Sequence, residues 1–115
     1  MTLYAALIYT ADVDWSAPEH AGVMAEYGEF GQAAAAVIRG GAALYPTATA
    51  TTVRTTGGKG GDVVTTDGPY TETKEVLTGF YLLECADLDE AVATAARIPA
   101  AWHGVVEVRP VIPMG

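Results

Sequence analysis

The chain has 115 residues, half of them hydrophobic, and a formal charge of −8 from 14 acidic and 6 basic residues. This length suits one domain rather than two independent cores. The charge argues against nucleic acid and anionic membranes as partners, because phosphate binding needs clustered Lys and Arg and the six basic residues are scattered along the chain.

The first third of the chain predicts a strand followed by an amphipathic helix. The apolar run from Leu3 to Thr10 has the length and aromatic content of a strand that is buried on at least one face. Ser16 and Glu19 form a capping-box pattern around Pro18, which predicts a helix start, and Gly40-Gly41 is expected to end this helix. Its inward stripe recurs at three- and four-residue spacing and contains His20, Val23, Met24, Tyr27, Gly31, Ala34, Val37 and Ile38.

The middle of the chain predicts a short strand and a hairpin. Ala42 to Tyr45 is a short strand before Pro46, and the alternating segment Thr49 to Thr56 is a solvent-facing strand. Asp62 to Thr66 is its hairpin partner across the tip Gly57-Gly58-Lys59-Gly60-Gly61. This tip lacks the Gly-Lys-Ser/Thr spacing of a phosphate loop, so we interpret it as a turn.

The last third repeats the strand-helix-strand order. An apolar strand runs from Gly79 to Cys85, and a second capping box at Asp87 opens a helix from Leu88 to Arg97, which Pro99 ends. A final strand is expected at Val105 to Val111.

The lone cysteine, Cys85, bears on location as well as on structure. It is expected to be a buried structural thiol rather than a nucleophile, and its solitude fits a reducing compartment. No stretch is long enough for a membrane span, and the N-terminus has no basic segment followed by an apolar one. We therefore expect a cytoplasmic protein.

The element order β-α-β-(β-hairpin)-β-α-β over residues 1–115 predicts a single α+β domain with the ferredoxin-like split βαβ fold. Two helices cover one face of such an antiparallel sheet, and the other face also needs cover. A second copy packed sheet on sheet supplies it, so we expect a homodimer: a dimeric α+β barrel with a cavity between the two sheets.

Three segments together resemble the YCII-related, or DGPF, protein family. They are Asp67-Gly-Pro-Tyr-Thr-Glu-Thr-Lys-Glu75, Asp87-Leu-Asp-Glu-Ala91, and Ala96-Arg-Ile-Pro99 together with Val106-Glu-Val-Arg-Pro110. The nine-residue string is the most specific of them, because no general structural need dictates it. Tyr70 stands where the motif that names the family has Phe.

The resemblance implies a dimeric α+β barrel and a role that is mostly uncharacterised. Family members often lie beside genes for extracytoplasmic-function sigma factors, which implies a regulatory or stress-linked context. In the YCII group, a His on the first helix and an Asp before a Pro after the second helix form a proposed acid/base pair. This chain departs from that pattern, because His20 lies near the helix start and Ile98 precedes Pro99.

The Asp67–Glu75 loop is the main candidate site. In the simpler interpretation, Asp67 only stabilises the Asp-Gly-Pro turn and Lys74 pairs with neighbouring carboxylates on the surface. In the functional interpretation, the loop lies at the rim of the cavity between sheets. There Asp67 acts as general base or polar anchor, and Tyr70, Glu72, Lys74 and Glu75 contact a ligand.

Two further residues complete the candidate set. His103, in the loop entering the last strand, could be a proton shuttle or an ordinary surface histidine. Arg109 could clamp a ligand carboxylate or pair with Glu107 or Glu75. No metal site is predicted, because the two His and one Cys show no ligand spacing, and no cofactor motif is present.

Two functions follow from these candidates. We favour a small-molecule binding or regulatory module connected with a sigma-factor or stress pathway, because no triad, metal set or nucleotide motif is visible. The alternative is a small-molecule enzyme that uses acid/base chemistry at Asp67 and His103 in the inter-sheet cavity.

Overall fold

The computed structural model describes residues 1–114 and shows an α+β fold. Its strands are β1 (Thr2–Ala11), β2 (Ile38–Ala43), β3 (Thr51–Thr55), β4 (Val63–Asp67), β5 (Glu75–Cys85) and β6 (Val105–Pro110). Its α-helices are α1 (Ala21–Ala33), α2 (Leu88–Ala95) and α3 (Ala100–His103), with 3-10 turns at Pro18–His20 and Thr47–Thr49.

The main sheet has the strand order β2-β5-β1-β6, and all of its ladders are antiparallel. Each strand-helix-strand unit leaves a gap between its two strands, which a strand of the other unit fills. This arrangement confirms the predicted ferredoxin-like α+β fold. The β3–β4 hairpin is a separate two-stranded sheet inserted between β2 and β5, as the sequence pattern predicted.

The two faces of the main sheet differ in their cover. Burial alternates along β1, where Tyr4, Ala6 and Ile8 are buried and pack with Phe30 of α1 and with Ile98 in one core cluster. The opposite face, here called the open face, has no helix against it. Its apolar side chains are half-buried or exposed, and they are Leu3, Leu7, Tyr9, Leu77, Phe80, Leu82 and Val105.

The overall dimensions agree with a sheet covered on one side. The Cα atoms span 46 × 42 × 19 Å, and their radius of gyration is 16.2 Å. A compact chain of this length has a radius of gyration of about 13 Å. The thin dimension accommodates one sheet and one layer of helices, so the described chain leaves the open face to solvent.

The start and end of α1 differ from the sequence prediction. Asp14 Oδ1 accepts hydrogen bonds from the amide and hydroxyl of Ser16, so Ser16 belongs to a turn and does not cap the helix. The predicted stripe continued to Ile38, but α1 ends at Ala33 and Ile38 begins β2. Gly40-Gly41 therefore lies inside a strand. A Cβ at Gly41 would lie 2.5 Å from the carbonyl oxygen of Phe80, so glycine allows this strand to approach β5.

The second helical region follows the prediction more closely. Asp87 caps α2 by accepting a hydrogen bond of 2.9 Å from the amide of Glu90. Pro99 ends that region but also precedes α3, so His103 is the last residue of a short helix and not part of a loop. Cys85 is buried in the core cluster, as expected. Within residues 1–114, no helix has the length and apolarity needed to cross a membrane.

Candidate functional site

The predicted loop joins the hairpin to the main sheet. Asp67 is the last residue of β4 and is exposed, and Glu75 is the first residue of β5. Gly68 has a positive φ of 98°, which suits glycine at a turn. Its amide donates to Ala50 O at 2.8 Å, and its carbonyl accepts from the hydroxyl of Thr52 at 2.9 Å. The start of the loop is therefore anchored to the hairpin.

The loop forms one wall of a surface cavity of about 440 Å³, here called the loop groove. Its lining residues are Pro69, Thr71, Glu72, Thr73 and Val76 on the loop side, with Asp12, Pro46, Thr47 and Ala48 opposite. Asp12 is held in place by the hydroxyl and the amide of Thr47, which both donate to its carboxylate. The Thr47 hydroxyl, followed by the Thr47 amide, lowers the pKa of Asp12 below its usual value.

The other predicted ligand contacts are spread over the surface. Tyr70 is 77% exposed, and the guanidinium of Arg54 lies 5.2 Å from the centre of its ring. Lys74, Glu75 and Arg109 are exposed. Among residues 1–114, the ion pairs include neither Lys74 nor Arg109, so the alternative in which these two residues pair with neighbouring carboxylates is not found.

The structure does not join Asp67 to His103. His103 Nε2 lies 3.2 Å from Glu26 Oε1 on α1, which gives this histidine a carboxylate partner that the sequence did not reveal. Asp67 lines neither the loop groove nor the second cavity described below, and its register partner across the hairpin is Thr51. Within the described part of the chain, the two residues form no hydrogen bond with each other.

A second cavity, which the sequence did not predict, lies on the helical side of the main sheet. We call it the Trp15 pocket. Its volume is about 240 Å³, and its lining residues are Ile8, Trp15, Met24, Tyr27, Gly41, Ala42, Ala43, Thr78, Gly79, Phe80 and Tyr81. The pocket lies between α1, the turn before it, and the edge formed by β2 and β5. None of these residues is charged, so the pocket is an apolar space with few polar atoms.

Trp15 lines this pocket, and its indole nitrogen is enclosed by the surrounding protein. Its Nε1 atom is buried and has no hydrogen-bond partner in the described structure. The ring is held in place by His20, whose ring centre is 4.7 Å away, and by the Asp14–Ser16 turn on which Trp15 sits. A buried donor without a partner costs free energy, and such groups are rare in native proteins.

Among the other polar side chains around the pocket, the threonine hydroxyls are hydrogen-bonded and the tyrosine hydroxyls are uncharged. The hydroxyls of Thr78 and Thr10 are buried and lie 2.8 Å apart, so they satisfy each other. Burial raises the pKa of Tyr27 to about 12, and it also raises the pKa of Tyr81. Both phenols are therefore protonated at neutral pH. Phe30 packs edge-on against Tyr81 with ring centres 5.0 Å apart, which supports this wall from the core.

Neither cavity carries a set of metal ligands. Within residues 1–114, no three His, Cys, Asp or Glu side chains lie close enough to share a metal ion. The chemistry available is thus hydrogen bonding and apolar contact in the Trp15 pocket, and carboxylates with hydroxyls in the loop groove.

Comparison with known proteins gives the family. A model of the YCII-related domain matches residues 2–115. A stretch of 71 residues, 60% of this chain, is 46% identical to an uncharacterised protein of Rhizobium meliloti (strain 1021). That stretch covers 55% of the relative, so the chain spans about half the length of the curated protein it matches. The family match extends over almost every residue, including the Asp67–Glu75 loop, and the chain therefore belongs to the YCII-related domain family.

Proposed function

We propose that this protein is a small-molecule binding module and that the Trp15 pocket is its binding site. One observation carries the proposal: a cavity of about 240 Å³, lined by α1, the turn before it and strands β2 and β5, has no charged residue in its walls. Ligand sites are typically concave, mostly apolar and supplied with a few well-placed polar groups.

The regulatory part of the proposal rests on the family resemblance. A binding module beside a sigma-factor or stress pathway would report the presence of its ligand to another protein. A cytoplasmic location, which the single cysteine favours, suits that role. The loop residues Tyr70, Glu72, Lys74 and Glu75, together with Arg109, stay predicted ligand or partner contacts, of which Glu72 lines the loop groove.

The enzyme alternative has less support. It needs Asp67 and His103 at one reacting group, and general acid–base catalysis requires hydrogen-bond reach of that group. His103 is instead within reach of Glu26, and Asp67 lies on the hairpin. Binding without chemistry is therefore the function that the geometry favours.

We further propose that the open face is covered by a second copy of this chain. Leu77 and Val105 on this face are 41% and 52% exposed, and they lie in one apolar layer with Leu7 and Leu82. Soluble monomers rarely expose a contiguous apolar patch of more than a few hundred Å². Two open faces packed together would remove both patches from water and complete the predicted α+β barrel.

A thermal-shift screen against a metabolite library tests the binding proposal. The wild type is compared with Ala43→Phe, which places a ring in the pocket, and with Ala93→Phe, which adds the same ring to an exposed position of α2. We expect hits that are lost in Ala43→Phe and kept in Ala93→Phe. Hits that survive Ala43→Phe and disappear in Asp67→Ala would move the site to the loop, and a screen without hits would contradict the proposal.

Sedimentation equilibrium tests the dimer. Leu82→Glu adds a buried charge to the proposed interface, whereas Leu88→Glu adds the same charge at an exposed position at the start of α2. We expect a dimer for the wild type and for Leu88→Glu and a monomer for Leu82→Glu, because burying an unpaired charge is costly. A monomeric wild type would overturn this part of the proposal.

A further inference from the structure

The outer edge of β2 lies beside the Trp15 pocket and offers backbone groups to a further strand. Resting on the proposed function, we infer that this edge docks an extended segment of another protein, which places one large apolar side chain in the Trp15 pocket. The segment and the small-molecule ligand then compete for the same space, so that binding of the ligand releases the partner protein.

The free backbone groups of β2 follow from its pairing with β5, its neighbour in the main sheet. The Leu44 amide donates to Thr78 O on β5 at 2.9 Å. Along an antiparallel strand, residues alternate between bonding the neighbouring strand and facing away from it. By the register of the two strands, the N–H and C=O groups of Gly41 and Ala43 therefore point outward. The backbone bonds formed within residues 1–114 include none to these outward groups.

The two edges of the main sheet differ in their protection. The other edge strand, β6, contains Glu107, Arg109 and Pro110, and proline has no N–H to donate. Charged side chains and proline are common means by which proteins keep an edge strand from pairing with another chain. Between Gly40 and Ala43, where its register with β5 is regular, β2 has neither a charged residue nor a proline. The β2 edge is thus the one that accepts a further strand.

The pocket determines which side chain of the added strand matters. Gly41 and Ala43 line the pocket and lie on the helical side of the sheet. Residues directly opposite each other in antiparallel strands share a face, with Cβ atoms about 4.5 to 5.5 Å apart. A residue opposite Gly41 or Ala43 therefore directs its side chain to the pocket side, where these small residues leave it room. Because a cavity of about 150 Å³ holds benzene, a volume of about 240 Å³ accommodates an aromatic side chain.

A second copy of this chain does not supply such a side chain through its own β2. The outward-facing Gly41 and Ala43 of a second β2 are small, so two β2 strands paired around these residues would leave both pockets unfilled. The occupant is therefore a segment of another protein with an aromatic residue. The net charge of −8 favours neutral or basic residues beside it over acidic ones.

Selection from a display library of random nonapeptides tests the inference with the wild-type protein. We expect the enriched peptides to share β-forming residues around one aromatic residue, with few acidic residues. Selection on Ala43→Phe, whose ring fills the pocket, should lose the aromatic preference, whereas Ala93→Phe, with the same ring at an exposed position of α2, should keep it. A wild-type selection that enriches no such peptides would overturn the inference.

The ¹⁵N–¹H spectrum of the wild type then locates an enriched peptide, made by synthesis. The peptide should move the amide protons of Gly41 and Ala43 downfield and slow their exchange with heavy water. The outward-facing amides of Val106 and Val108 on β6 should stay unchanged and are the internal control. Slow exchange of Gly41 and Ala43 without peptide would show that a second copy already covers this edge, and the inference would be wrong.

Two changes to the peptide separate the edge from the pocket without any variant of the protein. Replacing the aromatic residue by alanine should weaken binding at least about tenfold, because the apolar contact in the pocket is lost. Methylation of the peptide nitrogens that face β2 should abolish binding, because the added strand then has no donors for the ladder. Equal affinities for the parent and the methylated peptide would contradict strand addition.

Competition distinguishes this inference from the proposed function. A metabolite that the thermal-shift screen identifies and Ala43→Phe removes should displace the peptide. Simultaneous binding of the two would overturn the shared pocket and leave the proposed function intact. A metabolite hit without enriched peptides would contradict the inference alone. Enriched peptides without a metabolite hit would contradict the small-molecule function and support docking at β2. If neither is found, both proposals fail.

Discussion

The Trp15 pocket and the loop groove differ in how they are built. The pocket has a floor of paired strands, a wall from α1 and an indole fixed by the turn that precedes the helix. The groove is lined by loops on both sides, and its clearest fixed contact is the pair of bonds between Asp12 and Thr47. A site on regular elements holds a ligand more rigidly than a site on loops.

A distinctive sequence motif and a well-formed cavity therefore need not lie at the same place in the molecule. The Asp67–Glu75 string is the most specific part of the sequence resemblance, yet its side chains are exposed except at Pro69, which is half-buried. The pocket is made from residue types that are common in any hydrophobic core, and none of its lining residues is charged.

The largest effect is expected at the pocket floor. A Cβ at Gly79 would lie 2.7 Å from the carbonyl oxygen of Ala42 on the neighbouring strand, so Gly79→Ala forces two paired strands apart. We expect a loss of about 2 to 3 kcal/mol in the free energy of unfolding, measured by urea denaturation.

Glu72→Ala is the matched change in the groove, where the side chain is exposed. It should change stability by less than about 0.5 kcal/mol. Similar losses for both variants would mean that the loop is as rigid a part of the fold as the pocket floor, and the comparison would fail.

The second effect concerns the buried hydroxyl pair beside the pocket. Thr78→Val removes one partner and leaves the buried Thr10 with only its weak contact to Ala11 O at 3.3 Å. We expect a loss of about 1 to 2 kcal/mol, partly recovered in the Thr10→Val/Thr78→Val double variant because no donor is then left unpaired.

The control for this pair is Thr73→Val in the loop, where the hydroxyl donates to Glu75 O in an exposed setting. Unfolding by denaturant should show little change for this variant, since water replaces the lost bond. An additive double variant at positions 10 and 78 would show that the two hydroxyls do not depend on each other.

The fold was predictable because its strands and helices differ in hydrophobic periodicity and are bounded by recognisable capping and turn residues. The alternation in β1, the Asp87 cap and the glycine-rich hairpin tip each reflect local chemistry, and each is found in the structure. The boundary between α1 and β2 was not predictable from the stripe. The apolar residues Val37 and Ile38 fit the face of a helix as well as they fit a strand. The pairing of Ile38 with Leu83 places Ile38 in β2.

The pocket could not be predicted for the same reason. It exists because the small residues Gly41 and Ala43 lie opposite Tyr81 and Gly79 on the helical side of the sheet, which leaves space beneath α1. That strand register depends on pairing between segments that are far apart in the sequence. The helical periodicity predicts that Met24 and Tyr27 face inward, but it gives no information on the size of the residues opposite them. The Glu26 partner of His103 is likewise 77 residues away in the chain.

A third prediction concerns high pH. Burial raises the pKa of Tyr27 from 10.0 to about 12, so the folded state holds this proton more tightly than the unfolded chain. Stability is then fully present below about pH 10 and is lost as the pH rises toward about 12, because the unfolded state binds fewer protons in that window.

Tyr27→Phe should reduce this alkaline loss, whereas Tyr45→Phe, at a residue 68% exposed, should leave it unchanged. Denaturant unfolding at a series of pH values between about 9 and 11 measures both. Part of the loss should remain in Tyr27→Phe, because burial also raises the pKa of Tyr81. An unchanged pH dependence in Tyr27→Phe would mean that the pocket wall is more open to water than its packing indicates.

The smallest effect is expected in the groove itself. The Thr47 hydroxyl is the main cause of the lowered pKa of Asp12, and the Thr47 amide is the second. Thr47→Val removes only the hydroxyl, so the pKa of Asp12, followed by carboxyl ¹³C shifts, should rise toward 3.8 without reaching it. Asp14 is the control in the same spectrum, because Ser16 lowers its pKa and the variant leaves Ser16 intact.

The lowered pKa means that the contribution of Asp12 to stability is present above its unfolded pKa and is lost as the pH falls. An unchanged Asp12 pKa in Thr47→Val would show that the bond across the groove is not held in solution. The groove would then have no fixed wall, and the contrast with the Trp15 pocket would be sharper than the structure indicates.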